Sequence, residues 1–585
     1  MPAHTVRADV GIGPYGFYQQ PVRRLSGPVV VPKISLRHLS RRNFDHGHSL
    51  TSLYLPQAAL GSLPERSRMK KPRIQQKTER RISAGLRLTL VALLLVVQIA
   101  LVVGLSVLLQ QKMALAYMLL QALALVVAGR VYTRPGSSSY KIGWILLILA
   151  VPAAGLILYW LWNGESSAKR LTLKKVPLPA ESPAQMEQCA AAAAALAAQM
   201  PEWSRLACYM ARGGFPLYDG TGVEYLATGE AYLSDLLEHM EQAKRFIFLE
   251  YYIVARGEIF DRMLDIFRRK RAEGVEIKFL FDDFGSMMRF GNEEIDALQK
   301  IGVEVMIFNP VHQYVNRLYF NYRDHRKIAC IDGEVAYTGG ANLADEYANI
   351  MERFGYWKDC GVRLTGRGAW GLTRDFIHLW ERMGGTLANG YDYYRPRFGA
   401  EGQGFVQPFV DGPDNNPINT AEDAFLQLIA GARETLTITT PYLAIDEPMM
   451  RALCLAADSG VKVQLLMPGI PDHKFAYLVA ESYWGELMRH GVEIDIFTPG
   501  LLHGKTVLAD GKMAFVGSVN MDYRSFQLHF ECGTLLYGTA VSRPLAEDMA
   551  RIAASGERMT MKRWKGRPWY RKALGTLLRL FAMWM

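Results

Sequence analysis

Three stretches toward the amino-terminal end carry no charged residue: 24 residues between Arg87 and Lys112, 17 between Lys112 and Arg130, and 23 between Lys141 and Glu165. A helix needs about 20 apolar residues to cross the roughly 30 Å of hydrocarbon in a bilayer. The pattern predicts a transmembrane helical region over 84–164, with spans at about 88–110, 113–130 and 142–163. Gln121 interrupts the middle and shortest run, and Trp144, Tyr159, Trp160 and Trp162 stand near the ends of the third, where an aromatic belt belongs. Upstream, residues 1–68 show neither a 3.6 nor a 2.0 period and read as a disordered extension or an over-extended start, with Met69 a natural beginning. Downstream, 165–214 reads as a linker whose alanine-rich run from Cys189 to Ala198 predicts a short helix.

From about residue 215 the pattern changes to short β-branched and aromatic runs alternating with helical stretches. One half contains FIFLEYYIV (246–254), GVEIKFLFDD (274–283) and GVEVMIFNP (302–310). The other contains TLTITTPYL (435–443), GVKVQLLMPG (460–469) and GVEIDIFTP (491–499). Such alternation marks α/β units. The same order twice predicts two tandem copies of one domain, at 215–395 and 396–558, each a mixed sheet flanked by helices and the two related by a pseudo-two-fold.

Composition narrows the class. The chain has 585 residues, half of them hydrophobic and 21% charged, which excludes wholesale disorder and fibrous architectures. Six cysteines without a C-x-x-C exclude a disulfide scaffold and a zinc ribbon. The net charge of +11 is unevenly placed: residues 1–88 carry +12, residues 559–585 carry +7, and the large centre is left at −8. A reader of nucleic acid would carry its positive charge on the reading domain. Here the basic ends flank apolar sequence, so the expected partners are a membrane and anionic phospholipid, with no nucleic acid. The tail 559–585, basic with Trp and Leu, suits an amphipathic interfacial helix on anionic lipid.

The chemistry lies at the end of each copy. HRKIACIDGEVAYTGGAN runs from His325 to Asn342, and HGKTVLADGKMAFVGSVN from His503 to Asn520. From each histidine, Lys is at +2 (Lys327, Lys505), Asp at +7 (Asp332, Asp510), Gly at +14 and Asn at +17 (Asn342, Asn520). Residues i and i+2 of a strand share a face. Two copies brought together place two imidazoles, two ammoniums and two amides around one pocket, which suits a tetrahedral phosphate. Lys and Asn hold its oxygens, one imidazole attacks phosphorus and the other protonates the leaving alkoxide. The lysines supply positive donors that phosphoryl transfer otherwise takes from metal, so neither metal nor other cofactor is expected. Each imidazole needs an orienting partner, for which Asp359 and Glu531 are the candidates. Asp332 and Asp510 complete the two motifs and are counted with the catalytic set; they begin Asp-Gly turns, and within the set bracing the strand end is their expected job.

These residues resemble the HKD motifs (325–332 and 503–510) of the phospholipase D superfamily. ITTPYLAIDE (438–447), PGLLHGK (499–505) and GSVNMDYRSFQLHFE (517–531), following an apolar region that ends PAAGLILYWLWNG, resemble the bacterial cardiolipin synthase branch, over roughly 113–585. The resemblance implies transfer of a phosphatidyl group from one phosphatidylglycerol to another, giving cardiolipin and glycerol through a phosphatidyl-histidine. It implies that His325 and His503 are nucleophile and general acid/base, His325 being the expected nucleophile. It further implies that Lys327, Lys505, Asn342 and Asn520 hold phosphate, and that Asp359 and Glu531 orient the imidazoles. The sequence departs from that branch at His529, where Asn is usual, and at Gly504. A hydrolase on the same scaffold is the alternative, since water and glycerol compete for one intermediate. A non-enzymatic membrane scaffold would require a degraded motif, and both motifs are intact.

Overall fold

The computed structural model describes residues 114–134, 138–162, 173–311, 322–415 and 418–582, with scattered helical positions between 93 and 108. The extension expected over 1–68 lies outside the described residues. So does most of the first expected span; the positions described within it, such as Leu93, Val96 and Leu101, are exposed.

The middle run, the shortest of the three in sequence, forms helix α1 (Ala114–Tyr132). Among the described residues this is the one helix long and apolar enough to cross a membrane. The third expected span is corrected. It breaks at Val151 into α2 (Ser138–Ala150) and α3 (Pro152–Trp162). Proline lacks the N–H that would continue the helical ladder and disfavours helix at the residue before it. At 1.5 Å per residue the two pieces are about 20 Å and 16 Å long, too short to cross. They fold back on each other. Trp144 and Tyr159 meet edge to face at 5.4 Å, and Arg134 donates to the Tyr159 hydroxyl at 2.9 Å. Gly155 makes the bend possible, because a Cβ there would sit 2.5 Å from the Ile148 Cα. Multi-pass insertion is therefore not supported by the described helices.

Within the stretch expected as a linker, α4 (Pro183–Gln199) starts at a capping box in which Ser182 and Gln185 bond each other's backbone N–H. With α5 (Ser204–Arg212) it buries Leu196, Leu206 and Met210 in the core of the second half.

The first half holds β1 (Thr221–Leu226), β2 (Phe246–Tyr251), β3 (Glu276–Asp282), β4 (Glu304–Phe308), β5 (Arg323–Asp324), β6 (Lys327–Ile331), β7 (Val335–Gly339), β8 (Tyr356–Lys358) and β9 (Gly361–Gly366). The second holds β10 (Phe405–Asp411), β11 (Thr435–Thr439), β12 (Leu443–Ala444), β13 (Lys462–Pro468), β14 (Glu493–Phe497), β15 (Gly500–Leu502), β16 (Thr506–Ala509), β17 (Met513–Gly517), β18 (Met521–Asp522), β19 (His529–Tyr537) and β20 (Glu557–Arg558). The first sheet runs β1-β9-β7-β6-β2-β3-β4 and the second β10-β19-β17-β16-β11-β13-β14-β20. Strand for strand the order repeats, with β20 added at one edge. In each, the three strands at the β4 or β14 side are parallel and the rest antiparallel. The expected pair of mixed α/β domains is what the chain forms.

Alternation along the strands covers both faces of each sheet. On β2, Phe246 and Phe248 point to one core while Ile247 and Leu249 point to another. The shared inner core joins Phe248, Ile328 and Leu364 of the first sheet to Leu466, Val516 and Phe530 of the second. Helices α6 (Ala369–Arg382) and α8 (Ser542–Ala554) fill it with Trp370, Phe376, Trp380 and Leu545, while α7 (Lys474–Arg489) covers the outer face of the second sheet. Burial on both faces explains why these strands read as continuous apolar runs. Helix α9 (Trp569–Arg579) lies in the basic tail and is held on α7 by Arg567 and Arg571, 3.0 and 2.9 Å from Glu481. Its Trp569, Tyr570 and Leu577, and Leu580 just after it, remain exposed.

Candidate active site

Two short ladders join the halves and build the site. Strand β5 pairs in parallel with β19, placing Asp324 opposite Phe530. Strand β15 pairs in parallel with β8, placing Leu502 opposite Lys358. The next residues are His325 facing Glu531, and His503 facing Asp359. The backbone continues the register: His325 N–H donates to the Phe530 carbonyl at 2.8 Å, and His503 N–H to that of Lys358 at 2.7 Å.

Each histidine therefore takes its carboxylate from the opposite half. His325 Nδ1 lies 2.9 and 3.0 Å from the two oxygens of Glu531, and His503 Nδ1 lies 2.6 Å from Asp359 Oδ2. An ionised carboxylate only accepts, so these contacts put the imidazole proton on Nδ1 and leave Nε2 with a bare lone pair. Asp359 is held in the acceptor form. Burial pushes its carboxyl up, but the His503 contacts and Lys505 outweigh it and hold it below the ordinary value.

Both lysines lie inside the same pocket. Lys327 Nζ donates to the His325 carbonyl at 2.5 Å, and Lys505 Nζ donates to the His503 carbonyl and lies 2.9 Å from His503 Nδ1. Burial, which disfavours an uncompensated ammonium, lowers Lys327 to about 7 and Lys505 to about 8. Burial lowers His503, with Lys505 adding to it, and takes His325 well below the ordinary range, with Lys327 and Lys505 adding to it. The site thus holds neutral imidazoles beside two buried lysines, with Glu531 and Asp359 as the neighbouring carboxylates, a donor set that suits an anionic ligand.

The glycine pairs that follow differ between the copies. A Cβ at Gly340 would come 2.1 Å from Asp359 Oδ1, so only glycine lets Asp359 reach His503. Ser518 holds the equivalent place and instead donates to Glu531, as does Ser525 at 2.8 Å. The asparagines differ too. Asn342 Oδ1 accepts from the Ile253 N–H at 3.0 Å and its amide donates to the Tyr347 hydroxyl at 2.7 Å. Asn520 Oδ1 is buried and has no hydrogen-bond partner among the described residues.

Asp332 and Asp510 are not brought to the imidazoles. They follow the far ends of β6 and β16, some 16 Å along an extended strand from Lys327 and Lys505. Asp332 accepts the backbone N–H groups of Lys244, Arg245 and Phe246; Asp510 accepts those of Arg433, Glu434 and Thr435. Both sit at positive φ, 55° and 53°, opening turns completed by Gly333 and Gly511. Their carboxylates tie one strand end to the start of its neighbour.

Aromatic rings wall the two histidines. Tyr252 and His529 stand 5.1 and 5.4 Å from His325; Trp357 and Tyr347 stand 5.4 and 5.6 Å from His503. The sequence reading assigned no role to Tyr252, Tyr347, Trp357, Ser518 or Ser525. The two serines stand inside the GSVNMDYRSF string, and the rings had no signal beyond flanking a strand end. Among the described residues, His325, His529 and Glu531 form a group whose ligand atoms all lie within 4.8 Å of one another, close enough to meet at a cation. A separate cavity of about 540 Å³ between α4 and α5, lined by Cys189, Ala193, Leu196 and Cys208, carries no comparable cluster.

The family described as "Cardiolipin synthase, PLD-like domain" matches residues 236–351 and 425–553, and "Phospholipase D-nuclease N-terminal" matches 120–163. The chain is 33% identical over 426 residues to a cardiolipin synthase of Oceanobacillus iheyensis, covering 72% of this chain and 88% of that one. It is 32% identical over 433 residues to a cardiolipin synthase of Listeria monocytogenes, covering 72% and 89%. An uncharacterized protein of Streptococcus mutans is 38% identical over 382 residues, covering 64% of this chain and 82% of that one. Among solved structures, a phosphatidylserine synthase of Haemophilus influenzae aligns with a TM-score of 0.47 at 15% identity, covering 64% of this chain and 97% of that one.

Proposed function

The chain belongs to the cardiolipin synthase family of phospholipase D-like proteins, and on that premise we propose how its residues carry out phosphatidyl transfer. The observation that carries the reading is the crossed bracing: each imidazole is set by a carboxylate of the other half, with both lysines in the same buried pocket.

In the first step the phosphodiester of phosphatidylglycerol sits between the histidines. Lys327, Lys505 and Asn520 hold its non-bridging oxygens, with Asn342 on the other side. His325 Nε2 attacks phosphorus. Its Nδ1 proton stays shared with Glu531, whose charge offsets the imidazolium character that develops. The bond to the glycerol oxygen breaks, and His503, protonated in the field of the bound anion, delivers its Nε2 proton to that oxygen. Glycerol leaves. In the second step the free hydroxyl of another phosphatidylglycerol enters, and His503 Nε2 takes its proton. The alkoxide attacks phosphorus, the P–N bond breaks and cardiolipin is released. Asp332 and Asp510 act on the strand ends, outside this sequence. Helix α1 and the exposed face of α9, basic and rich in Trp and Leu, hold the site at a bilayer of anionic phospholipid.

Purified full-length protein in vesicles of pure phosphatidylglycerol tests the reading. Cardiolipin and glycerol should appear in equal amounts, and acid quench should leave the phosphatidyl group on His325. Accumulation of phosphatidate in place of cardiolipin would assign a hydrolase instead.

A further inference from the structure

His529 lies on the site's side of β19. It is two residues from Glu531, so the two share a strand face. The intervening Phe530 and the following Cys532 point the other way, into the inner core. The imidazole is only 7% exposed and lies among His325, 5.4 Å away, and Tyr252, 6.4 Å away. Neither of its ring nitrogens has a hydrogen-bond partner among the described residues; Glu531 Oε1 is 3.7 Å from Nδ1. Burial, with Arg524 adding to it, lowers this imidazole to about 3 despite Glu531, so it is neutral. A neutral imidazole offers one N–H donor and one acceptor.

Buried polar groups in folded proteins are nearly always satisfied, so a buried imidazole without a partner beside the reacting histidine points to a ligand group that pairs with it. A cation is the poorer fit, because Glu531 already accepts from His325, Ser518 and Ser525. A hydroxyl both donates and accepts, and a vicinal diol presents two such groups. We propose that His529 is a third imidazole of the active site that reads the hydroxyls of the glycerol headgroup, so that a polyol rather than water occupies the acceptor position. The inference rests on the transferase reading above. His529 moves no proton in the reaction; it positions the acceptor and leaves less room for water.

The test uses the full-length enzyme in phosphatidylglycerol vesicles, with two readouts. The first is the fraction of product that is phosphatidate in the wild type, His529→Phe and His529→Asn. His529→Phe should raise that fraction about tenfold, and His529→Asn, whose amide also donates and accepts, should restore most of the wild-type ratio. The second needs no variant: exchange of labelled glycerol into phosphatidylglycerol should outrun transfer to propan-1-ol, a one-hydroxyl acceptor of the same length, by about tenfold. An unchanged ratio in His529→Phe, or a changed ratio that His529→Asn shares in full, overturns the role. If His529→Phe does not fold, equal use of glycerol and propan-1-ol by the wild type overturns it. A wild type that makes phosphatidate and no cardiolipin defeats the transferase reading itself, a separate result.

Discussion

The two halves share a motif but not a neighbourhood. His325 is braced by a glutamate that two serines also grip, and Tyr252 and His529 stand beside it. His503 is braced by an aspartate through a shorter contact, made possible by Gly340, with Tyr347, Trp357 and the Lys505 ammonium around it. Burial lowers both imidazoles, with Lys327 and Lys505 adding to it at His325 and Lys505 at His503. A neutral imidazole suits the proposed nucleophile, and an imidazole held by a short carboxylate contact suits the proposed acid. The difference teaches that the repeat keeps the His, Lys and Asn of each motif while their supports differ, as two distinct proposed roles would require.

The largest test of this comparison removes each imidazole. His325→Ala and His503→Ala should each lower cardiolipin synthesis at least about 10²-fold, the low end of acid–base contributions. Only His503→Ala should still yield labelled protein after acid quench, because it retains the nucleophile. Label on His325→Ala instead would reverse the roles.

The carboxylates sharpen it. Glu531→Gln and Asp359→Asn should each cost about 10²-fold, since the amide no longer imposes the Nδ1 proton. The crossed geometry adds a signature. Glu531→Gln, although in the second half, should behave like a first-half variant and lose the phosphatidyl-enzyme. Asp359→Asn should keep it. If each variant instead copied the histidine of its own half, the crossed pairing would be wrong.

A pH profile comes next. Lys327 and Lys505 are proposed to hold phosphate as ammoniums, and burial lowers them to about 7 and about 8. Raising the pH through that range removes positive charge, so kcat/KM, which reports free enzyme, should fall on the alkaline side. A bound phosphodiester raises both groups, so kcat should persist to higher pH. Coincident alkaline limbs would show that the lysines do not face the phosphate.

The smallest effect on chemistry should come from the aspartates that end each motif. Asp332→Asn and Asp510→Asn weaken a set of backbone contacts and should cost about 1–3 kcal/mol of stability. Activity per folded molecule should stay within about twofold. A drop matching the histidine variants would place these carboxylates in the reaction.

The repeat, both motifs and the two candidate carboxylates were legible in the sequence because each is a local string at a fixed offset. The crossing was not. It arises from ladders between β5 and β19 and between β8 and β15, two or three residues long and far apart in sequence. No periodicity reports such a pairing. The third apolar run misled for a different reason: hydropathy counts residues, whereas Pro152 and Gly155 decide whether they stay in one helix. His529 looked like a minor departure, and its weight appears only once its ring is seen buried beside His325 without a partner.

The crossed bracing also sets a clock on biosynthesis. Glu531 follows His325 by 206 residues. A ribosome adding about 5–20 residues per second leaves the first motif without its carboxylate for roughly 10–40 s after His325 is made. Throughout that interval the emerging first half carries His325, the proposed nucleophile, without the carboxylate that sets its tautomer. On that role, a chain truncated before Glu531 should form no phosphatidyl-enzyme.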